Sequence, residues 1–415
     1  MRARIALLTL ALATLGAMLF GCAGRERANP FDPENQTTGG RPSGFMALAR
    51  EGRADLVWQT PGTAGLVGFQ LWRRTAYETD YHPLSAVLGP DVTSYTDRGL
   101  LDGLDHLYRL YFVFGSGTGA DPSEDTATPG PQIPWVADGA GALLEVTADG
   151  RHVAVRHGGL ARPTSVAVDT STRRVWCSDP DAGVVRILEA LSGITITVPV
   201  SGTPGGIALV PGDSTAWICQ EDAGAVVHLA PGGQVLERLN GLQLPIGVAV
   251  SGADGSLWVC ERDGSRVLHR DTELGDLGSV ALPAPSRVAV DAVTGEAWVS
   301  SFTHGTVWKL SPAGATLATV GAFAGPVGIA VDGTRGNIWV ADAAGDRVRV
   351  LAPDGRLRFE VGSVPGARSV VVDPVTGEGW VAAVTSGELV RISPVGVVIR
   401  RLGGIGSAND VALMP

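Results

Sequence analysis

The sequence predicts an all-β protein in which a small sandwich precedes a long repeated unit. The chain has 57 glycines, 26 prolines and only 18% charged residues, which favours a turn-rich β protein over a helical one. Seven of its ten tryptophans recur every 40 or 41 residues: Trp135, Trp176, Trp217, Trp258, Trp298, Trp339 and Trp380. A period near forty residues with four short strands per unit is typical of a β-propeller.

Residues 1–21 are predicted to be a signal peptide. A basic start precedes an apolar stretch from Ile5 to Phe20, which is too short for a comfortable membrane span. The stretch ends in LFGC at residues 19–22, which resembles the bacterial lipobox. The resemblance implies that Cys22 carries a lipid, so we expect a membrane anchor at this residue. An ordinary secretory signal is the alternative.

The lipobox resemblance also implies a bacterial cell envelope. Ala23 stands where an aspartate would signal retention in the inner membrane, so the outer membrane is favoured, with the protein facing the periplasm or the cell surface. Removal of residues 1–21 lowers the basic count from 32 to 30 against 42 acidic residues, a net charge of −12. This acidic balance argues against nucleic acid as a partner.

Two segments separate the signal from the repeats. Residues 22–41 are polar and lack apolar periodicity, which predicts an extended tether. Residues 42–130 alternate strand-like runs with turn clusters and resemble a fibronectin type III domain, through Trp58, GFQLWR at 68–73, SYTD at 94–97 and the aromatic-rich run 108–114. The resemblance implies a β-sandwich that spaces or binds, with Tyr108 packed at the corner before the sixth strand.

Residues 132–415 contain the repeats. Each unit opens with a strand such as PIGVAV at 245–250, turns as in DPVTGE at 373–378, and continues into the tryptophan strand and two further strands. The chain enters the repeat at Trp135 without a first strand and ends in a first strand at residues 407–414. The two fragments complete one unit, so we expect a seven-bladed ring whose closing blade is split between the two ends.

The repeat resembles the NHL family and its relatives, the YVTN-type propellers and the streptogramin lyases. The resemblance depends on P-x-[GS]-[VI]-A-V-D, followed by W-V-[AS]-[DE] and G-x-V-x-x-L, and it covers about two thirds of the chain. It implies the fold and leaves the function open, because the same repeat serves enzymes, sensors and binding scaffolds.

In a propeller the starts of the first strands and the ends of the second strands lie on one face around the central channel. The polar residues at these positions are acids with a few arginines, suited to a polar or cationic ligand, and the predicted binding residues are Asp138, Asp179, Glu261, Arg287, His304, Asp342, Arg368, Asn409 and Asp410. The alternative for each single acid is a structural role at the end of a hairpin, which is the more frequent use of such residues.

The sequence offers little support for catalysis. Streptogramin lyases have a histidine directly after the first-strand proline, and none occurs at the corresponding positions, which hold Thr164, Gly205, Ile246, Ser286, Val327, Arg368 and Asn409. The histidines of the repeats are not gathered at one repeat position. We predict no cofactor, and a divalent metal would be required only if the acids served a lyase or lactonase.

Three cysteines remain beside Cys22, an odd number that excludes a complete disulfide framework. Cys219 and Cys260 share a repeat position that otherwise holds alanine or serine, which predicts buried free thiols. Together these features predict a monomeric, lipid-anchored envelope protein whose propeller is a non-catalytic platform for a protein or a small polar ligand. A metal-assisted lyase or lactonase and a structural surface or adhesion protein are the alternatives.

Overall fold

The computed structural model describes residues 29–32, 35–62, 65–119 and 121–415. The predicted signal peptide and the anchor residue Cys22 lie outside the described residues. Two compact units result, the first comprising the described residues up to Thr128 except Ala49–Gly52, and the second comprising Pro129–Pro415 together with Ala49–Gly52. No described helix is long and apolar enough to cross a membrane.

The N-terminal unit consists of two antiparallel sheets. Its strands are β1 (Met46–Arg50), β2 (Arg53–Val57), β3 (Leu66–Thr75), β4 (His82–Pro83), β5 (Ser94–Arg98), β6 (His106–Phe114), β7 (Gly117–Thr118) and β8 (Ser123–Ala127). One sheet has the order β1-β2-β5, and the other has the order β4-β3-β6-β7 with β8 also paired to β6. The predicted strand-rich unit between the tether and the repeats is therefore present.

A buried polar contact joins these two sheets. Tyr108 on β6 is fully buried, and its hydroxyl donates to Asp97 on β5 at 2.9 Å. Arg73 on β3 donates to the same carboxylate at 2.7 Å. Burial is the main cause that raises the pKa of Tyr108, and the Asp97 carboxylate raises it further. Tyr108 thus lies on β6 itself, and the fibronectin type III assignment remains a prediction.

The second unit holds seven four-stranded antiparallel sheets. The strands of its first half are β9 (Ile133–Asp138), β10 (Ala142–Val146), β11 (Val153–Gly158), β12 (Ser165–Asp169), β13 (Arg174–Asp179), β14 (Val184–Glu189), β15 (Thr195–Pro199), β16 (Pro204–Leu209), β17 (Ala216–Gln220), β18 (Ala225–Leu229), β19 (Val235–Asn240), β20 (Pro245–Val250), β21 (Leu257–Glu261), β22 (Arg266–Arg270) and β23 (Asp276–Ala281).

The strands of the second half are β24 (Arg287–Val290), β25 (Ala297–Ser301), β26 (Thr306–Leu310), β27 (Thr316–Val320), β28 (Pro326–Val331), β29 (Ile338–Asp342), β30 (Arg347–Leu351), β31 (Leu357–Val361), β32 (Ala367–Val372), β33 (Gly379–Ala383), β34 (Glu388–Ile392), β35 (Val398–Leu402) and β36 (Ala408–Met414). Short 3-10 helices follow β13 at Pro180–Ala182 and β29 at Ala343–Gly345.

The two ends of the propeller share one blade. Blade 1 has the strand order β11-β10-β9-β36, so the C-terminal strand pairs with the first strand of the propeller. The pairing is antiparallel, with Ala412 opposite Trp135 and Val411 opposite Val136. Blades 2 to 7 are each formed by four consecutive strands, beginning with β12–β15 and ending with β32–β35. The predicted seven blades and the split closing blade are confirmed.

The tryptophan ladder packs each blade against its neighbour. Trp339 of blade 6 belongs to a buried cluster with Val370 and Val381 of blade 7, and Trp380 of blade 7 packs with Val136 of blade 1. All seven ladder tryptophans are buried. Large aromatic side chains bury much apolar area per residue, which explains why a short repeat keeps one at each blade junction.

In two blades the residue of the third strand that faces the ladder tryptophan is a histidine. His228 and His269 are the cross-strand partners of Trp217 and Trp258, and their rings stack with centroids 4.6 and 3.9 Å apart. Only these two of the propeller histidines face a ladder tryptophan in the strand register. Burial lowers the pKa of His269, which favours the neutral ring.

The three propeller cysteines are free and fully buried, as predicted. Burial is the main cause that raises the pKa of Cys219 to about 12. A thiol with this pKa is protonated at neutral pH, so it packs as a small apolar group rather than reacting as a nucleophile.

Candidate ligand site at the mouth of the central channel

Seven first strands surround the central channel, and each is an edge of its sheet. Its unpaired backbone N–H and C=O groups therefore face the channel. The third residue of the repeat motif stands where neighbouring first strands approach each other, and several of these residues are glycines. A Cβ atom on Gly247 would lie 2.6 Å from the Ser286 carbonyl oxygen, and one on Gly328 would lie 2.7 Å from the Arg368 carbonyl oxygen. The motif thus keeps glycine where two backbones meet.

Two cavities occupy the channel and its mouth. The first, of about 420 Å³, is the bore, and residues from all seven first strands line it. The second, of about 410 Å³, lies at the mouth, and its lining is Glu221, Ile246, Arg262, Ala284, Ser286, Arg287, Phe302, Thr303, Val327 and Arg368. Arg287 and Arg368 line both cavities, so they stand where the mouth opens into the bore.

Arg287 occupies the repeat position that holds glycine in three other blades. Its Nη1 donates to the Ile246 carbonyl oxygen at 3.1 Å, and no carboxylate pairs with it among the described residues. A Cβ atom on Gly206 would lie 2.8 Å from the same Nη1. The guanidinium therefore extends over blades 3 and 4, in space that their glycines leave open.

Arg368 is the second cation at this point. In the described part of the chain it has neither a hydrogen bond nor an ion pair from its side chain. Burial lowers the pKa of Arg368, the neighbouring Arg287 lowers it further, and Asp410 opposes the effect. Arginine remains charged in proteins, so partial burial of this unpaired charge destabilises the folded protein. A bound anion would offset that destabilisation.

Glu221 brings a negative charge to the same cavity. Burial raises its pKa, while Arg287 and Arg262 act in the opposite direction. Its carboxylate lies over Gly205, where a Cβ atom would overlap it, and no described residue donates a hydrogen bond to it. The mouth therefore contains three arginines and one glutamate, which makes this part of an acidic protein locally positive.

Asn409 and Asp410 line the bore but bind the protein itself. Asp410 accepts hydrogen bonds from the Ser165 and Ser369 hydroxyls and from the Val166 N–H, so it ties together the first strands of three blades. Asn409 Nδ2 donates to the Pro163 carbonyl oxygen at 2.8 Å. These two predicted site residues are brought to the channel and are already engaged there.

The predicted acids at the ends of the tryptophan strands have a different environment. Asp342 is completely buried, and its carboxylate accepts hydrogen bonds from the N–H groups of Ala324 and Gly325, the latter at 2.7 Å. Arg347 Nε on the next strand donates to the other oxygen at 2.8 Å. The carboxylate thus holds the loop that enters the blade and the third strand of that blade.

The same arrangement recurs in three more blades. Asp138, Asp179 and Glu261 are also completely buried. Asp138 accepts a hydrogen bond from the Ser407 N–H and pairs with Arg156. Asp179 accepts from the N–H groups of Ala161 and Arg162 and pairs with Arg186. Glu261 accepts from the Gln243 N–H and pairs with Arg266. The expected acidic ring is corrected by this geometry, because these acids serve their own blades and do not converge on the channel.

His304 is exposed on the hairpin after β25 and lines neither cavity. Its Nδ1 lies 3.1 Å from the Thr303 hydroxyl and 3.4 Å from the Ser301 hydroxyl. Across the described ranges, no group of three or more His, Cys, Asp or Glu residues is placed to hold a metal ion. The acids required by the metal-assisted alternative are thus dispersed among the blades.

The sequence did not identify the apolar part of the mouth. Phe302, Ile246 and Val327 line it beside the arginines, and Phe302 is 44% exposed. Ile246 and Val327 each directly follow the proline of a first strand. Phe302 comes directly after a tryptophan strand, at the repeat position that holds Glu221 in blade 3. The repeat register of the sequence could therefore have placed these three apolar residues at the mouth.

Comparison with known proteins concerns the propeller. The family model of the NHL repeat matches residues 323–351, which contain β28, β29 and β30. No curated protein matches the sequence. Virginiamycin B lyase from Staphylococcus aureus is 15% identical, with a TM-score of 0.52 over 58% of this chain and 84% of that protein.

Two other solved structures cover more of the chain. A protein of unknown function from Desulfotomaculum acetoxidans is 15% identical, with a TM-score of 0.58 over 68% of this chain and 98% of that protein. A proposed 6-phosphogluconolactonase from Bacteroides uniformis is 12% identical, with a TM-score of 0.59 over 68% and 99%. At these identities the likeness concerns the fold. The second unit of this chain is therefore a β-propeller that contains an NHL repeat at residues 323–351.

Proposed function

We propose that the propeller binds a small anionic ligand at the mouth of its channel, through Arg287 and Arg368. The observation that carries the proposal is the pair of arginines that line both cavities without a carboxylate partner among the described residues. Guanidinium groups bind carboxylates and phosphates well, and the protein walls strengthen the interaction by excluding water. The proposal replaces the cationic or polar ligand expected from the acids.

Other arginines of the propeller make the contrast clear. Arg347 pairs with the buried Asp342, and Arg162 binds Asp181 through two hydrogen bonds at 2.9 and 2.6 Å. Such pairs offset the charge of the arginine within the protein. Arg368 lacks this compensation, so an incoming anion would gain the interaction without displacing an internal partner.

A binding role fits the mouth better than the metal-assisted lyase or lactonase. That alternative would be favoured if three or more of six residues converged on a metal ion: Asp138, Asp179, Glu261, Asp342, Asp410 and His304. The first four are engaged within their own blades, and Asp410 binds the first strands of neighbouring blades. The lyase and lactonase names belong to the compared proteins. For this chain we infer a non-catalytic platform.

The test uses two probes of equal size and opposite charge. 4-Methylpentanoate and 4-methylpentylammonium are titrated into the protein at pH 7, with binding followed by calorimetry and by the shift of the melting temperature. We expect the carboxylate to bind and the ammonium to bind at least tenfold more weakly. Equal binding of both probes, or binding of neither, would refute the anion site.

We further propose that the protein is a lipoprotein of the bacterial outer membrane, anchored at Cys22, with residues 22–41 as a tether and residues 42–130 as a fibronectin type III-like spacer. The support is the lipobox-like LFGC at residues 19–22 and the two sheets of the N-terminal unit. Cys22→Ala should move the protein from the membrane fraction to the soluble fraction. Unchanged membrane association would contradict the anchor.

A further inference from the structure

The geometry points to a zwitterionic ligand, an α-amino acid with an apolar side chain, whose carboxylate binds Arg287 and Arg368 and whose ammonium group binds Glu221. This inference rests on the proposed anion site and adds the chemical class of its ligand. It assigns to Glu221 the role of a specificity-determining residue.

The Glu221 carboxylate is the first feature that favours such a ligand. It lies at the mouth, in the cavity shared with both arginines, and no described residue donates a hydrogen bond to it. Asp342 and Asp410, by contrast, each accept three or more hydrogen bonds. A carboxylate that is partly buried without a donor is costly, and a donor on a ligand would offset that cost.

The arrangement of charge at the mouth is the second feature that favours this ligand. The mouth presents two arginines without carboxylate partners and one carboxylate without a donor, and all three line one cavity. A ligand with a single negative group would satisfy the arginines and would leave Glu221 facing a like charge. A ligand that carries a carboxylate and an ammonium group satisfies both sides, and the burial that raises the pKa of Glu221 is then offset by the cation.

The size and the apolar lining of the mouth cavity are the third feature. The mouth cavity of about 410 Å³ corresponds to roughly fourteen waters at ~30 Å³ each and lies within the usual range for small-molecule sites. Phe302, Ile246 and Val327 line it beside the charged groups. An aliphatic side chain of the size of leucine therefore has both room and apolar contacts.

A matched ligand series tests the inference. Leucine, 2-hydroxy-4-methylpentanoate and 4-methylpentanoate share one skeleton and differ only in an ammonium, a hydroxyl or a hydrogen beside the carboxylate. In the full-length protein at pH 7 we expect leucine to bind at least tenfold more tightly than 4-methylpentanoate, because a charge-assisted hydrogen bond is gained. The hydroxy acid should bind with intermediate affinity.

Glu221→Gln should remove the preference for leucine and should strengthen binding of 4-methylpentanoate. Asp222→Asn is the matched control, because it removes the same charge one residue away, where Asp222 accepts a hydrogen bond from Thr203 at the surface. The control should keep the preference for leucine. Melting temperatures of both variants show that each is folded.

Each outcome is decisive. If the carboxylates bind through the arginines but leucine has no advantage, or if Glu221→Gln retains that advantage, the zwitterion inference is wrong and the anion site stands. If the hydroxy acid binds more tightly than leucine, the donor is a hydroxyl and the amino-acid class is wrong. If none of the three ligands binds, the proposed function fails as well.

Discussion

The repeated acids at the ends of the tryptophan strands and the arginines of the channel mouth make opposite use of charge. Asp342 and its counterparts are completely buried, and each binds backbone N–H groups and an arginine of its own blade. Arg287 and Arg368 are not repeated in the other blades, line two cavities and have no carboxylate partner among the described residues. Both sets belong to the same repeats. They differ in whether the protein itself provides a partner for the charge.

The acids that recur in several blades of this propeller have a structural role. A residue that recurs in several blades meets the same local need each time, here the N–H groups of the loop that enters the blade. Charged residues that break the repeat are of two kinds. Asp410 accepts hydrogen bonds from the first strands of two neighbouring blades. Arg287, at a position that holds glycine in three other blades, has no carboxylate partner among the described residues. The departures that have no partner within the protein are therefore the ones that we propose as the ligand site.

The largest effect is expected from Asp342→Ala. The substitution leaves the N–H groups of Ala324 and Gly325 without an acceptor and leaves Arg347 without its partner, so the free energy of unfolding should fall by about 3 kcal/mol. Urea denaturation measures it. Asp354→Ala, at an exposed turn, is the control and should change the unfolding free energy by less than about 0.5 kcal/mol. Equal effects of the two variants would contradict a structural role.

Arg368→Gln should weaken ligand binding without lowering the stability of the protein. Binding of 4-methylpentanoate should weaken by about tenfold or more, because a charged hydrogen bond to the carboxylate is lost. The melting temperature should stay the same or rise, because the folded protein no longer holds a poorly compensated charge. Calorimetry and thermal unfolding measure the two effects. Arg358→Gln removes an exposed arginine of β31 and should leave both unchanged.

The pH dependence of binding should come from Glu221. Burial raises its pKa, so the carboxylate takes up a proton above its ordinary range as the pH falls. Protonation removes a negative charge beside the arginines, so binding of 4-methylpentanoate should tighten by roughly three- to tenfold between pH 8 and the pH at which the ligand itself protonates. In Glu221→Gln the affinity should be high and nearly constant over this range, and a retained slope would count against the assignment.

The smallest effect concerns the histidine that faces a ladder tryptophan. Burial lowers the pKa of His269 in the folded state, so the unfolded chain binds a proton first as the pH falls below about 6.5. Its contribution to stability is thus present above that pH and is lost as the pH falls toward the lowered pKa. His269→Phe keeps a ring against Trp258 and should make stability less sensitive to acid, as measured by unfolding at pH 7 and pH 5. The exposed His82→Phe is the control.

The fold followed from sequence because its signals are local and repeated. The spacing of the tryptophans and the incomplete units at the two ends were sufficient to predict seven blades and the pairing of β36 with β9. The site was harder, because the sequence places Asp342 and Arg368 on the same face and does not show which charge the protein satisfies. That information lies in contacts across the chain, such as Ser165 with Asp410, which are 245 residues apart.

The most direct measurement is a crystal structure of the protein with 4-methylpentanoate bound. We predict the carboxylate at the mouth of the channel, with guanidinium nitrogens of Arg287 and Arg368 within hydrogen-bond distance of its oxygens. We also expect Asp342 still bound to Gly325 and Arg347. A carboxylate bound elsewhere on the propeller, out of reach of both Arg287 and Arg368, would contradict the proposed anion site.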